Sequence, residues 1–411
     1  MNSPKVSLSG LTPKSLLTGA ALLCLALGTG AGGAPAAAQE AAAPLTAEQA
    51  PVTALPGAPE APALPDVASY VLMDAQTGTV LASKGAGLLR APASLTKMMT
   101  AYLTYQALAQ GRVREDQVVP VSNAAWKATG SRMFLDPSAK VTIHQLLHGL
   151  IIQSGNDAAV ALAEAVGGSQ EAFVLAMNAE AKTLGLADTH YTNVSGLPQG
   201  DIHTSALDVA KLSHAIIRDY PQFLEISAQK EYTFDNITQR SWNPVLFKDA
   251  SVDGLKTGLT DAAGHCIAAT ASRNGRRLIA VEMGAPDWDS GTTASEVLLD
   301  YGYHFFENAQ VVTAGTKLGE LDDPRFDPEQ IPVGAAEDMT MSVPSALMKS
   351  VETTVSFNPQ IPEELPAGAR VGTITYSSNG TVLAQVPAVT LTKGIDASFM
   401  TKIMRKLHSA L

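Results

Sequence analysis

Cysteine is almost missing from this sequence: Cys24 and Cys266 are the two in 411 residues. No disulfide framework can be drawn from them, so stability must come from packing. Basic charge is scarce as well. Lys and Arg number 28 against 39 Asp and Glu, a formal charge of −11, and nucleic acid is excluded as a partner because phosphate binding needs concentrated Lys and Arg. Compact metal-ligand patterns are lacking too. His190, His203, Asp208 and His265 are dispersed, with no H-E-x-x-H or similar set, so neither metal nor cofactor is expected. Nor is there a long apolar run. Leu16 through Leu27 is about a dozen residues and is broken by Gly28, Gly30, Gly32 and Gly33, short of the roughly 20 needed to span a bilayer.

That short run has another use. With Lys5 and Lys14 before it and Ala36-Ala37-Ala38 after it, residues 1–38 read as a cleaved secretory signal. Residues 39–65 are Ala/Pro-rich and read as a linker, with ordered structure expected from about Ala68. Beyond it, the apolar fraction of 46% suffices for a sizeable core, and the length suits two domains.

Tyr70–Met73 and Thr79–Leu81 alternate around Gln76-Thr77-Gly78 as a hairpin. Leu95, Met98, Met99, Tyr102 and Leu103 recur at helical spacing from about Ser94. Further helices are expected over Ile143–Ile152, Ala158–Ala165, Glu171–Leu184 and Ser205–Arg218. Cys266–Ala271 and Leu278–Met283 flank Asn274-Gly275, the preferred type I′ turn pair, and a helix follows from about Thr292 to Phe306. Strand, helices, then strands imply an α/β (α+β) unit over residues 66–308, with a sheet from both chain ends packed on helices. Residues 309–394 carry short β-type runs between Pro and Gly and read as a small all-β domain. In residues 395–411, Phe399, Met400, Ile403, Met404, Leu407 and Leu411 share one helical face, with Lys402, Arg405 and Lys406 on or beside the other. Such a basic amphipathic helix suits an anionic membrane surface, or packing on its own domain.

Three short motifs carry the chemistry. Ser94-Leu95-Thr96-Lys97 opens a helix, Ser154-Gly155-Asn156 lies between two helices, and Lys256-Thr257-Gly258 opens a strand. Each alone is common, but the set in this order is the pattern of penicillin-recognising serine enzymes. Ser94 and Lys97 share a helix face. A serine hydroxyl needs a base, and lysine serves when burial and neighbouring cations depress its pKa. Ser94 at a helix N-terminus places its N–H near a developing oxyanion. Ser154 offers a hydroxyl for proton shuttling, and Asn156 an amide for Lys97 and the substrate. Lys256 and Thr257 suit a peptide C-terminal carboxylate, and Gly258 allows close approach to the strand. Cys266 reads as inert core, while His203 and Asp208 read as braces for the helix from Ser205.

On these motifs the chain resembles the low-molecular-mass penicillin-binding proteins, the D-alanyl-D-alanine carboxypeptidase family. Asp74-Ala75-Gln76-Thr77-Gly78, Asn193-Val194-Ser195-Gly196-Leu197, His203–Asp208 and Asp253–Asp261 extend the likeness. The resemblance implies that Ser94 is acylated by a peptidoglycan stem peptide ending in D-Ala-D-Ala, with the last D-alanine released. It implies Lys97 as base, assistance from Ser154, Asn156 and Lys256, an oxyanion hole of the Ser94 and Leu259 N–H groups, and hydrolysis without metal or cofactor. It further implies β-lactams as covalent inhibitors and an exported, periplasmic enzyme on the outer face of the inner membrane. Two departures stand out. Leu259 follows K-T-G where several relatives have His, and Trp242 stands where many have an Arg, leaving Arg240 as the nearby candidate for the substrate carboxylate. A D,D-endopeptidase, a serine β-lactamase and a peptidoglycan-binding scaffold remain alternatives, though no E-x-x-x-N segment of the β-lactamase kind follows Asn156.

Overall fold

The computed structural model describes residues 55 and 57–408. The signal reading for 1–38, the linker over 39–54 and the last three tail residues lie outside the described residues. Five antiparallel strands form the central sheet: β1 (Ser69–Asp74), β2 (Val80–Lys84), β3 (Val252–Thr260), β4 (Gly264–Arg273) and β5 (Arg276–Ala285). Their order is β2-β1-β5-β4-β3, so the first hairpin and the last three strands meet at the β1–β5 pair. Asn274 and Gly275 both have positive φ, 52° and 79°, as a type I′ turn demands.

Every residue of β1 is buried, because both faces of the sheet are covered. Val71 and Met73 join the apolar cluster under the helices α1 (Thr96–Ala109), α2 (Ile143–Ile151), α3 (Asn156–Gly167), α4 (Gln170–Thr183) and α5 (Ala206–Asp219). Tyr70 and Leu72 join the cluster under α6 (Trp288–Phe305). A strand between two apolar layers reads as a continuous apolar run, as Tyr70–Met73 does. Helix α1 lies at the centre and is buried nearly all round. Some of its polar groups are satisfied internally: Thr100 Oγ1 donates to Val194 O and the Tyr102 hydroxyl to Asp219, at 2.8 and 2.9 Å, while Thr96 Oγ1 and the Tyr105 hydroxyl are buried without a partner among the described residues.

Packing begins earlier than the expected start near Ala68. Leu55, Ala58, Ala61 and Leu64 rest on the α6 cluster. The Tyr301 and Tyr70 hydroxyls donate to Pro59 O and Pro62 O, and Lys84 donates to Leu64 O. Proline-rich backbone lacks donors of its own, but its carbonyls accept well, and these three donors fix it.

The all-β unit starts at Phe306, where a strand to Val312 pairs with Met339–Pro344. A second sheet runs in the order Gly319–Asp322, Gln330–Gly334, Thr381–Thr390, Arg370–Ser378, Val351–Phe357 around its own core. Ile395–Asp396 pairs with Phe326–Asp327, so the first tail residues belong to this unit. Helix α7 (Phe399–His408) follows. It exposes Phe399, Met400, Ile403 and Met404, while the Arg405 guanidinium turns inward to Phe326 O and Glu329. Arg405 is thus a docking contact rather than part of a free basic face.

Candidate active site

The chain enters the site through Pro92 and a single 3₁₀ turn, Ala93–Leu95, before α1 begins at Thr96. Ala93 sits in the left-handed region at φ 47°, a conformation that surrounding structure must impose. Two glycines press on this turn. A Cβ on Gly196 would lie 1.7 Å from Ala93 O, and one on Gly258 would meet Ala93 Cβ and Pro92 O at 3.1 Å and Ser94 N at 3.2 Å. Gly258 therefore admits the protein's own nucleophile turn, a reason distinct from the expected approach of substrate to the strand.

In the first turn of α1, Lys97 is 1% exposed. Its Nζ lies 2.7 Å from Ser94 Oγ, 3.1 Å from Ser195 O and 3.5 Å from Ser154 Oγ. Ser154, between α2 and α3 and left-handed at φ 57°, accepts a 2.9 Å hydrogen bond at Oγ from Lys256 Nζ. Lys256 donates a second, also 2.9 Å, to Thr257 O and is 2% exposed. The result is a continuous line, Ser94–Lys97–Ser154–Lys256, with two ammonium-bearing side chains out of water. Burial, and after it the neighbouring Lys256 cation, hold Lys97 well below the usual lysine range, against an opposing pull from Asp157. Burial brings Lys256 down to about 7.

Other expected roles fall differently. Asn156 does not hold Lys97: its Nδ2 donates to Thr129 O at 2.5 Å, and Oδ1 is buried without a partner among the described residues. The Ser195 carbonyl does that work instead. Lys256 faces Ser154 rather than the open cleft. Arg240 is not brought to the site, since its guanidinium lies over the Phe247 ring at 4.3 Å. Asp208 does brace α5, accepting from Asp188 N and Thr189 Oγ1, but Ser205 is the cap and His203 bonds Asp201 O. Cys266 is fully buried, and burial pushes its thiol up to about 12. Among the described residues no group of three His, Cys, Asp or Glu side chains is placed to hold a metal.

Three contributors carried little signal. Asp157, in the first turn of α3, accepts from Met133 N and Leu135 N at 3.0 Å and so fastens the loop beside Ser131. An acid just after an S-G-N motif is the visible trace, favourable at a helix N-terminus. Ser131 Oγ donates to Ser154 O at 2.7 Å, holding the left-handed residue. Ser195 acts through its backbone, which no side-chain pattern announces. The cleft in front of the line has a volume of about 360 Å³. Its walls are Ser94, Ser131 and Ser154, the strand residues Thr257, Gly258 and Leu259, Gly130, and the indoles of Trp242 and Trp288. A nucleophilic hydroxyl, a buried lysine amine whose proton affinity burial lowers, and a second hydroxyl at the cleft floor can together perform acyl transfer.

The chain is similar to known proteins in both of its parts. Residues 58–287 match the family model described as D-alanyl-D-alanine carboxypeptidase, and 306–393 match the model of the penicillin-binding protein 5 C-terminal domain. The D-alanyl-D-alanine carboxypeptidase DacA of Escherichia coli is 37% identical over 361 residues, 86% of this chain and 88% of that protein. Penicillin-binding protein 5 of Haemophilus influenzae superposes with a TM-score of 0.77 at 32% identity, covering 82% of this chain and all of that one. The ampicillin-bound form of penicillin-binding protein D2 from Listeria monocytogenes, 27% identical, covers 58% of this chain and 97% of its own with a TM-score of 0.54.

Proposed function

This chain belongs to the D-alanyl-D-alanine carboxypeptidase family of serine peptidases, and from that premise we propose how its residues remove the terminal D-alanine of a stem peptide. Lys97 enters the reaction as a free amine. Two N–H groups bond Ser195 O and Ser154 Oγ, and its lone pair takes the proton donated by Ser94 Oγ. Ser94 Oγ attacks the penultimate D-alanine carbonyl, and the backbone N–H groups of Ser94 and Leu259 stabilise the oxyanion. The leaving D-alanine amine receives its proton through Lys97 and Ser154, whose Oγ is oriented by Lys256. Water, deprotonated by the same lysine, then cleaves the acyl-Ser94 ester. A β-lactam acylates Ser94 by the same first step.

The observation that carries this reading is the 2.7 Å contact between Ser94 Oγ and a buried Lys97 on which burial and a second lysine outweigh the opposing pull of Asp157. The work site is the periplasm, reached by the signal in residues 1–38, with residues 395–411 resting on the outer face of the inner membrane. The outward apolar face of α7 supports this placement: Phe399 and Met400 are 78% and 66% exposed. D-alanine release from diacetyl-Lys-D-Ala-D-Ala, measured with EDTA present for the wild type and Ser94→Ala, tests the chemistry. Release by the first and none by the second is expected; equal release by both would refute an acyl-Ser94 path.

A further inference from the structure

Two of the three tryptophans in the chain, Trp242 and Trp288, stand at the mouth of the catalytic cleft, and Trp242 is 48% exposed. An indole left half in water at a cleft mouth is an available apolar contact surface with a single N–H donor. Leu259, 46% exposed, extends the same apolar rim. The polar lining of the cleft consists of hydroxyl groups, those of Ser131, Ser154 and Thr257 beside the nucleophile, with no Arg, Lys or His among the residues that form it. Cations around it are engaged elsewhere, and Arg132, next to Ser131, lies over the Phe134 ring. Lys97 and Lys256 lie beneath the cleft surface with Nζ on Ser154 and on backbone carbonyls, and Arg240 covers Phe247. The formal charge of −11 adds a long-range field that disfavours anions.

A site that selects for a free carboxylate presents a charged donor to it, and this cleft presents hydroxyls and indoles. We propose, resting on the carboxypeptidase reading, that the leaving-group side of this site is neutral and apolar. It therefore accepts leaving amines that carry no carboxylate next to the nitrogen, packed between Trp242, Trp288 and Leu259. The bonds so reached include those of amidated stem peptides and of cross-links made to a lysine-type side-chain amine. Chemistry at Ser94 is unchanged: the D-alanyl C–N bond breaks, the ester forms, and the neutral amine departs with the proton returned by Lys97.

Three N-acylated compounds test this on the full chain: D-Ala-D-Ala, its C-terminal amide, and D-Ala joined to the Nε of lysine. The kcat/KM of each is followed by release of the amine. The expected result is that both compounds without a carboxylate next to the scissile nitrogen react within about tenfold of the free acid, below the roughly 10- to 100-fold that a charge-assisted hydrogen bond adds on top of ordinary fit. Trp242→Arg supplies the missing cation and is expected to raise the preference for the free acid by about tenfold or more. Labelling of Ser94 by a fluorescent penicillin checks that this variant is folded. A wild-type preference for the free acid beyond about tenfold overturns the inference alone, whatever the variant does. A Trp242→Arg protein that labels normally but keeps the wild-type ratio overturns it too. Reaction of the amide without the lysine compound would confine it to amidated peptides. Turnover of none of the three overturns the parent reading and this one together.

Discussion

Asp74 and Lys97 are equally withdrawn from solvent, at 0% and 1% exposed, yet their surroundings differ in kind. Asp74 accepts hydrogen bonds from Gln76 N and Thr77 N, from Arg276 Nε at 2.9 Å and from Asn308 Nδ2 at 3.0 Å. Arg276 in turn donates to Gly302 O and Phe306 O. That hub ties the first hairpin, β5, the end of α6 and the start of the all-β unit into one charge-balanced knot. Lys97 has instead a second lysine for a neighbour, joined through one serine. Opposite charges held by several hydrogen bonds make a fastening. Like charges sharing a dry site force one of them to give up its proton, and a neutral amine beside a hydroxyl is a base. Burial starts the shift at Lys97 and the second lysine adds to it, whereas the buried Asp74 has a cation for a partner.

Variants at the two places should separate fastening from reactivity. The largest effect is expected from Lys97→Met, which removes the base: kcat/KM for D-alanine release should fall about 10²- to 10⁴-fold, while thermal unfolding shows no loss of stability. Asp74→Ala should do the reverse. It strands the Arg276 cation and is expected to cost about 3–5 kcal/mol in urea denaturation, with turnover per folded molecule close to wild type. Gly258→Ala tests the geometry between them. Its methyl would crowd Ala93 and the Ser94 N–H at 3.1–3.2 Å, and a displaced nucleophile should lower kcat up to about 10²-fold with only a small stability change. Smallest is the linkage effect of Lys256. Its folded pKa of about 7 lies below the unfolded lysine value near 10.4. The unfolded state thus binds more protons between those limits, and stability gained from this group is full above the unfolded value and lost as pH falls through about 7. Lys256→Met should flatten the rise of stability with pH in that window by up to about 1.4 kcal/mol per pH unit. An unchanged slope would mean that Lys256 stays charged in the fold.

Much of this was legible in the order of residues, and the rest was not for identifiable reasons. The hairpin turns, the helix spacing and the three motifs are local patterns, so β1, β2, α1 and the Asn274-Gly275 turn follow from neighbours in sequence. The contacts that finish the site join residues far apart: Lys97 to Ser195 O, Lys256 to Ser154, Asp157 to Met133 N. A carbonyl acceptor leaves no residue-type signature, and a glycine such as Gly196 shows its purpose only once Ala93 is placed against it. Asn156 and Arg240 illustrate the converse. Their side-chain chemistry suited Lys97 and a carboxylate, but Thr129 O and the Phe247 ring are nearer in the fold. Leu55–Leu64 looked like linker because it is rich in Ala and Pro, and it is fixed by tyrosine and lysine donors that belong to other segments.

The central claim is that Lys97 acts as a neutral base because burial, and after it Lys256, make it so. The rate of Ser94 acylation by a fluorescent penicillin, followed against pH in the wild type and in Lys256→Met, tests it most directly. The account predicts that the wild-type rate rises with pH through a single step well below the ordinary lysine value. Removing Lys256 takes away a cation that lowers Lys97, so the step should move to higher pH in the variant. A wild-type step near 10.4, or a step that stays in place without Lys256, would contradict it.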